Sequence, residues 1–110
     1  MIATHDSLSD LRERLRQFAA ERDWEHFHVP KNLAMSVAIE AAEIMEHFQW
    51  LTPGESAALP ESQRAAVAQE IADVMLYLVR LADVLDIDPV EAALEKMAIN
   101  ARKYPVARGI

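Results

Sequence analysis

The chain has 110 residues, about the length of one domain, and it contains no cysteine. Disulfide frameworks, thiol nucleophiles and thiolate metal sites are therefore excluded, and a bound metal would need oxygen or imidazole ligands. The net charge of −7 at pH 7 argues against a nucleic acid polymer as a partner. Two glycines are too few for a Walker loop or a dinucleotide-binding fingerprint.

The sequence also argues against a membrane span and a signal peptide. Its longest unbroken apolar run, Val74–Val79, is far shorter than the roughly 20 residues that cross a bilayer. The amino-terminal residues Met1–Asp6 carry neither a basic cluster nor an apolar stretch of the kind found in signal peptides. We therefore expect a cytoplasmic protein without a membrane partner, folded as a single domain over 1–110.

The first predicted element is an amphipathic helix. Ser7 and Asp10 have the spacing of a capping box, and apolar residues then recur at three- and four-residue intervals from Leu8 to about Arg22. The next segment, 23–30, mixes aromatic and polar residues without a helical period. Because this segment closes on a proline, we expect a structured loop.

A second helix is predicted from Leu33 to about Trp50, with Asn32 as its cap. Proline and glycine disfavour helix continuation, so the segment 52–54, Thr-Pro-Gly, should end this helix. The pattern over 55–59 is ambiguous.

A third, long helix is predicted from Pro60 to about Leu85, since proline suits the first turn of a helix. A fourth helix begins after Asp88, which can cap it, and ends near Lys103. The composition favours helix formers, and the alternating apolar pattern of strands is absent from the sequence. The sequence therefore predicts an all-α fold, a four-helix bundle.

The second helix carries a narrow polar stripe between two apolar seams. On a helical wheel the stripe consists of Ser36, Glu40, Glu43 and His47. The seam on one side of it consists of Val37, Ala41, Ile44 and Phe48. The seam on the other side consists of Met35, Ile39 and Ala42. A solvated face would be broad and would lie opposite a single seam. We therefore expect the carboxylates of this stripe to lie in the interior or in a cleft.

The third helix is apolar around most of its circumference, which is typical of a buried helix. Its single polar strip contains Glu70, Asp73, Tyr77 and Arg80. Its two acids are three residues apart, like Glu40 and Glu43 on the second helix, so each acid pair spans one turn. If the two helices pack antiparallel, the pairs would face each other.

Four carboxylates gathered in a protein interior would be difficult to ionise, so we expect a cation among them. Mg²⁺, with Mn²⁺ as a possible substitute, prefers oxygen ligands and commonly bridges carboxylates and substrate phosphates. A single acid pair with this spacing most often belongs to a solvated face. Two pairs on the two most apolar helices favour a metal site that binds a phosphorylated substrate.

The acid motif, Glu40-x-x-Glu43 followed by Glu70-x-x-Asp73, resembles the metal-binding signature of the MazG-like all-α nucleoside triphosphate pyrophosphohydrolases. The similarity covers about residues 8–105 and is strongest to the dCTP pyrophosphatase branch. The segments that carry it are Phe18–Trp24, Phe27-His28, Asn32-Leu33, Phe48–Trp50, Asp73-Val74 with Tyr77–Val79, Ile99-Asn100 and Tyr104-Pro105.

The resemblance implies Mg²⁺-dependent hydrolysis of a nucleoside triphosphate, with dCTP or a modified dCTP favoured, to the monophosphate and pyrophosphate. It also implies a homo-oligomer, either a dimer or a tetramer. The implied catalytic and metal-binding residues are Glu40, Glu43, Glu70 and Asp73. The implied substrate-binding residues are Trp24, His28, Trp50, Tyr77, Lys96, Asn100, Arg102, Lys103 and Tyr104. Leu15 stands where the animal enzymes carry a histidine that helps to sandwich the base, so the preferred base stays open.

Two other functions fit parts of the pattern. A carboxylate-bridged di-iron or di-manganese bundle typically needs two Glu-x-x-His motifs, but the only one here runs from Glu25 to His28 in the predicted loop. A non-enzymatic helical dimerisation module would use the apolar third helix as its interface. We expect association in any case, because four helices have little material to cover a helix that is apolar on nearly every side.

Overall fold

The computed structural model describes residues 7–107, and within that range the chain forms five α-helices and no strand. The prediction of an all-α fold is confirmed. The helices are α1 (Leu8–Glu21), α2 (Pro30–Glu46), α3 (Pro53–Ala57), α4 (Glu61–Val84) and α5 (Pro89–Lys103), with a 3₁₀ turn at Glu25–Phe27. None of these helices is long and apolar enough to span a bilayer. The segment Met1–Asp6 lies outside the described residues, and the single domain over 1–110 stays a prediction.

The starts of α1 and α5 follow from caps that are local in sequence. The Ser7 hydroxyl accepts a hydrogen bond from the backbone N–H of Asp10 at 2.9 Å. The Asp88 carboxylate accepts from the N–H groups of Val90 and Glu91 at 3.0 and 3.1 Å. Each cap satisfies N–H groups that the first helical turn leaves without a partner, so both starts agree with the prediction.

The bounds of α2 differ from the prediction at both ends. The helix begins at Pro30 rather than Leu33, because the first turn leaves its N–H groups unpaired and therefore accepts a residue without one. Asn32 consequently lies inside the helix and does not cap it. At the other end the helix stops at Glu46, and the backbone then forms tighter turns through Trp50.

The ambiguous segment 55–59 contains the end of the short helix α3. The Thr52 hydroxyl accepts from the N–H of Glu55 at 3.1 Å, and the Glu55 carboxylate accepts from the N–H of Thr52 at 2.9 Å. This reciprocal capping box starts the helix at Pro53, inside the segment 52–54 that is predicted to end the preceding helix. Pro60 has an extended ψ of 152°, so α4 begins at Glu61 and not at the proline.

The core is formed by α2, which packs along α4, and by α1, which packs on the same helix. Its buried apolar residues are Ala19, Leu33, Val67, Val79 and Ala82. Helix α5 has no buried residue and makes no comparable contact with the other helices. The described chain is therefore extended, with a radius of gyration of 17.4 Å, whereas a compact domain of this length has about 13 Å.

Helix α4 is not enclosed within one chain, although its apolar pattern predicts burial. Ile71, Met75 and Leu78 are about half exposed. The reason is that α1 and α2 cover only part of α4, while α5 extends away from the core instead of covering the rest. A broad apolar surface of α4 is consequently left open.

Candidate active site

Three carboxylates converge where α2 packs against α4. One oxygen from each of Glu40, Glu43 and Glu70 lies within 4.8 Å of the other two. Asp73, one turn further along α4, is outside this close group, but its negative charge acts on both Glu40 and Glu70. The structure thus brings the two predicted acid pairs together, and we refer to the four residues as the carboxylate cluster.

The cluster carries unmet negative charge. Partial burial, followed by the charges of Glu43 and Asp73, raises the pKa of Glu40. Hydrogen bonding to Glu43, followed by partial burial and the neighbouring carboxylates, raises the pKa of Glu70. The Oε2 atoms of Glu40 and Glu70 are buried without a hydrogen-bond partner among the described residues.

The surroundings of the cluster favour a hard divalent cation. The ion pairs found between described residues include none of the four carboxylates. Oxygen ligands with excess negative charge suit Mg²⁺ or Mn²⁺. No histidine belongs to the close group within residues 7–107, which disfavours the di-iron alternative because that site uses two histidines.

A cavity of about 580 Å³ opens beside the cluster. Asp73 lines it and therefore connects the cavity to the carboxylates. The apolar lining residues are Leu15, Phe18, Ala19, Trp24, Phe27, Leu33 and Leu76. The rings of Phe18 and Trp24 pack edge to face with their centroids 5.6 Å apart. An apolar, aromatic wall with a few polar groups is typical of a site for a small organic ligand.

The polar end of the cavity contains a chain of hydrogen bonds. The polar lining residues are His28, Asn32, Ser36, Asp73, Tyr77 and Arg80. Arg80 donates from Nε to Nδ1 of His28 at 3.0 Å and from Nη1 to Oδ2 of Asp83 at 3.4 Å. Arg16 of α1 donates to both oxygens of Asp83, at 2.7 and 2.6 Å. These contacts join α1, α4 and the loop before α2.

These contacts set the protonation of the polar end. Hydrogen bonding from Arg16 lowers the pKa of Asp83 and raises the pKa of Arg16 itself. Burial, followed by the positive charge of Arg80, lowers the pKa of His28. At neutral pH Asp83 is therefore ionised and His28 is neutral. Since Nδ1 of His28 accepts a hydrogen bond, the ring proton lies on Nε2.

The structure brings only some of the predicted substrate-binding residues together. Trp24, His28 and Tyr77 line the cavity with Asp73. Trp50 does not, because it lies in the turn after α2 with 86% of its surface exposed. The cavity of the same chain is also not lined by Lys96, Asn100, Arg102, Lys103 or Tyr104. A substrate-binding role for these six residues stays a prediction.

Sequence reasoning did not single out Arg80 as a site residue. The sequence nevertheless contains an indication of its role, because Arg80 lies on the polar strip of α4, two turns beyond Asp73. A charged residue on a mostly apolar helix needs a partner, but its partners Asp83 and His28 become evident only when the chain is folded. Phe18 was not identified as a residue that lines the cavity, since its spacing in α1 is that of an ordinary core residue.

The chain is similar to known proteins in sequence. Residues 35–109 match the MazG-like family. Human dCTP pyrophosphatase 1 is 46% identical over 101 residues, which is 90% of this chain and 59% of the relative. Mouse dCTP pyrophosphatase 1 is 43% identical over 102 residues, 91% of this chain and 60% of the relative. This chain therefore spans about three fifths of the length of these curated relatives.

A solved structure is also similar. The crystal structure of a pyrophosphatase from Archaeoglobus fulgidus superposes with a TM-score of 0.85 at 45% sequence identity. The match covers 89% of this chain and 92% of the archaeal one, so both the fold and the sequence agree over nearly the whole length. From the family match and this structural similarity, we conclude that the chain belongs to the MazG-like family.

Proposed function

We propose that the protein hydrolyses a nucleoside triphosphate, with dCTP or a modified dCTP preferred, to the monophosphate and pyrophosphate. The observation that carries this proposal is that the carboxylate cluster and the aromatic cavity adjoin at Asp73. A nucleotide needs both parts, since its phosphates require positive charge and its base requires an apolar, partly polar pocket. The preference for dCTP is supported by the names of the human and mouse relatives.

Mg²⁺ is the proposed cofactor, with Mn²⁺ as a substitute. Glu40, Glu43, Glu70 and Asp73 would hold it, and the buried Oε2 atoms of Glu40 and Glu70 support this assignment because they lack any other partner among the described residues. When bound, the cation supplies positive charge that binds the phosphates and makes phosphorus more electrophilic.

The residues of the chain would accept a proton and bind the base during the reaction. A water molecule attacks the α-phosphorus, the bond from that phosphorus to the bridging oxygen breaks, and pyrophosphate leaves. One carboxylate of the cluster accepts the proton of the water. Trp24, whose ring lies near that of His28, offers a ring face to the base in the cavity.

The protein is also proposed to act as a homo-oligomer, either a dimer or a tetramer. Met97 on α5 is 66% exposed, and Leu94 and Trp50 are similarly open to solvent. A second copy packed against these side chains would cover them. It would also offer a route by which the basic and polar residues of α5 approach a cavity that they do not reach in their own chain. These residues are Lys96, Asn100, Arg102, Lys103 and Tyr104, and together with Trp50 they are proposed to contact the substrate.

The direct test is the product of the reaction. Purified protein is incubated with Mg²⁺ and a panel of dCTP, 5-methyl-dCTP, dUTP and oxidised purine triphosphates, and both pyrophosphate and orthophosphate are measured. We expect pyrophosphate from dCTP, no orthophosphate, and complete inhibition by EDTA. No product from any triphosphate, or orthophosphate released through a diphosphate, would contradict the proposal. Absence of product together with a melting temperature insensitive to Mg²⁺ would support a non-enzymatic dimerisation module instead.

A further inference from the structure

Arg80 is a buried charged residue, with 8% of its surface exposed. It lies at the polar end of the cavity, on the strip of α4 that also carries Asp73. A buried guanidinium group is unfavourable unless other groups match its charge and its donors. The groups around Arg80 therefore indicate which kind of ligand the cavity can accept.

Asp83 holds Arg80 from one side. The Asp83 carboxylate accepts a hydrogen bond from Nη1 of Arg80 at 3.4 Å. Arg16, on α1, donates hydrogen bonds to both oxygens of the same carboxylate. Arg16 also pairs with the exposed Glu13 at 2.7 Å, which limits its own freedom. A side chain that is clamped at Asp83 keeps one orientation, so the guanidinium group of Arg80 is fixed before a ligand enters.

His28 holds Arg80 from the other side. Nε of Arg80 donates to Nδ1 of His28 at 3.0 Å, which makes Nδ1 an acceptor. The neutral ring must then carry its proton on Nε2, because each neutral imidazole has one donor and one acceptor nitrogen. The pair Arg80–His28 is thus locked in one pattern of donors and acceptors, and His28 has a donor left over.

Several donors at this end of the cavity have no partner among residues 7–107. A guanidinium group has five N–H donors, and the bonds to His28 and Asp83 engage Nε and Nη1. Nη2 forms no hydrogen bond with another described residue. The amide of Asn32 is already engaged, since it donates to the carbonyl oxygen of Phe27 at 3.1 Å. The polar end therefore offers donors from Arg80 and His28 that a ligand with acceptors would satisfy.

We propose that Arg80 determines the base specificity of the cavity and, with His28, selects a base that has adjacent hydrogen-bond acceptors on one edge. Cytosine has this edge, since O2 and N3 both accept. Uracil and thymine carry N–H at N3 and would place a donor against a donor. The inference rests on the proposed function, because it concerns the base of the substrate. Asp83 and Arg16 are positioning residues that act through Arg80.

Arg80→Lys tests this inference, since lysine keeps the positive charge but loses the planar, multiply donating fork. The measured quantity is the ratio of kcat/KM for dCTP to kcat/KM for dUTP, from pyrophosphate release by the full chain with Mg²⁺. We expect wild-type protein to prefer dCTP and the substitution to reduce this ratio about tenfold, as for loss of a base-reading contact. Most of the change should lie in KM for dCTP. Arg64→Lys is the matched control, because it makes the same substitution on an exposed residue of α4.

Arg16→Lys provides a second variant that does not depend on substituting a buried residue. Arg16 is half exposed, so the fold should tolerate the change, but the bidentate hydrogen bonding to the Asp83 carboxylate is lost. We expect the ratio to fall in the same direction by a smaller factor. The inference would be overturned by an unchanged ratio in both variants, or by an equal loss of kcat/KM for dCTP and dUTP. It would also be overturned by a wild-type protein that does not prefer dCTP. The proposed hydrolysis would stand in each of these cases. Absence of pyrophosphate from every triphosphate would overturn the proposed function itself.

Discussion

Glu43 occupies a central place among the carboxylates of the candidate site. Its charge contributes to the raised pKa of Glu40, and its hydrogen bond is the largest cause of the raised pKa of Glu70. The same residue therefore both crowds its neighbours and offers oxygen to a cation. Replacing it with a neutral side chain separates these two effects, since repulsion is relieved while a ligand is removed.

For Glu43→Gln we expect pyrophosphate release to fall by about 100-fold or more, the scale typical of losing an electrostatic group at a reacting centre. The metal-free protein should stay folded, with a melting temperature equal to or above that of wild type, because one repelling charge has gone. The measurements are a pyrophosphate assay with Mg²⁺ and thermal unfolding by circular dichroism in EDTA.

The matched control is Glu46→Gln, which makes the same change one turn along α2 at an exposed residue outside the close group. It should retain normal turnover. A folded Glu43→Gln protein with turnover equal to that of the Glu46→Gln control would refute the ligand role of Glu43.

The acids of the site were predictable from sequence, whereas Arg80 was not. Glu40 and Glu43 stand between two apolar seams of one helix, so a helical wheel alone places them together. Arg80 owes its fixed position to Asp83 and Arg16, and the latter two are 67 residues apart in the chain. Periodicity reports which face of a helix a residue occupies but not which distant side chain pairs with it.

The same distinction holds for whole helices. The starts of α1 and α5 were predictable, because Ser7 and Asp88 bond to backbone groups within three residues. The start of α2 was not, because Pro30 is compatible both with the close of a loop and with the first turn of a helix. Packing of the following residues on α4, with Leu33 buried, decides between the two.

The ion pair between Arg16 and Asp83 links α1 to α4. The Asp83 side chain is 8% exposed and the Arg16 side chain 46% exposed, so the carboxylate is shielded although the cation is not. Arg16 lowers the pKa of Asp83 below its usual value of 3.8. A carboxylate with a lowered pKa in the folded state stabilises the protein above its unfolded pKa, and this stabilisation is lost as the pH falls through the lowered value.

For Asp83→Asn we expect the free energy of unfolding at pH 7 to fall by about 2 kcal/mol, the scale of a hydrogen bond to a charged group. The difference from wild type should shrink as the pH is lowered through and below 3.8, because the Asp83 carboxylate of the wild-type protein is then protonated and, like asparagine, carries no charge. Urea unfolding at a series of pH values measures both quantities.

Glu13→Gln is the control for this substitution, since it removes the other carboxylate that contacts Arg16, on the exposed surface of α1. An exposed ion pair should change the free energy of unfolding by less than about 1 kcal/mol. Equal effects of Asp83→Asn and Glu13→Gln, or a difference that does not depend on pH, would contradict the assigned role of Asp83.

At the scale of the molecule, many large apolar side chains of the described residues are exposed. The pattern of α4 predicted a buried helix, yet Ile71 and Leu78 are about half exposed, and α5 covers neither. Hydrophobic periodicity indicates that a face is buried but not whether the same chain or another copy covers it. The extended shape, with a radius of gyration of 17.4 Å, favours cover by another copy.

The substitution Met97→Glu tests this interpretation, because it places a charge on the exposed apolar side of α5 without touching the carboxylate cluster. We expect wild-type protein to have a mass of two or four chains in solution and the variant to shift towards one chain, as judged by size-exclusion chromatography with light scattering. Ala92→Glu is the control, since it introduces the same charge on the side of α5 away from Met97 and should leave the mass unchanged. A monomeric wild-type protein, or equal masses for both variants and wild type, would contradict the proposed association through α5. If residues of a second copy's α5 contribute to the cavity, pyrophosphate release should fall in step with dissociation and should recover as the concentration of the variant is raised.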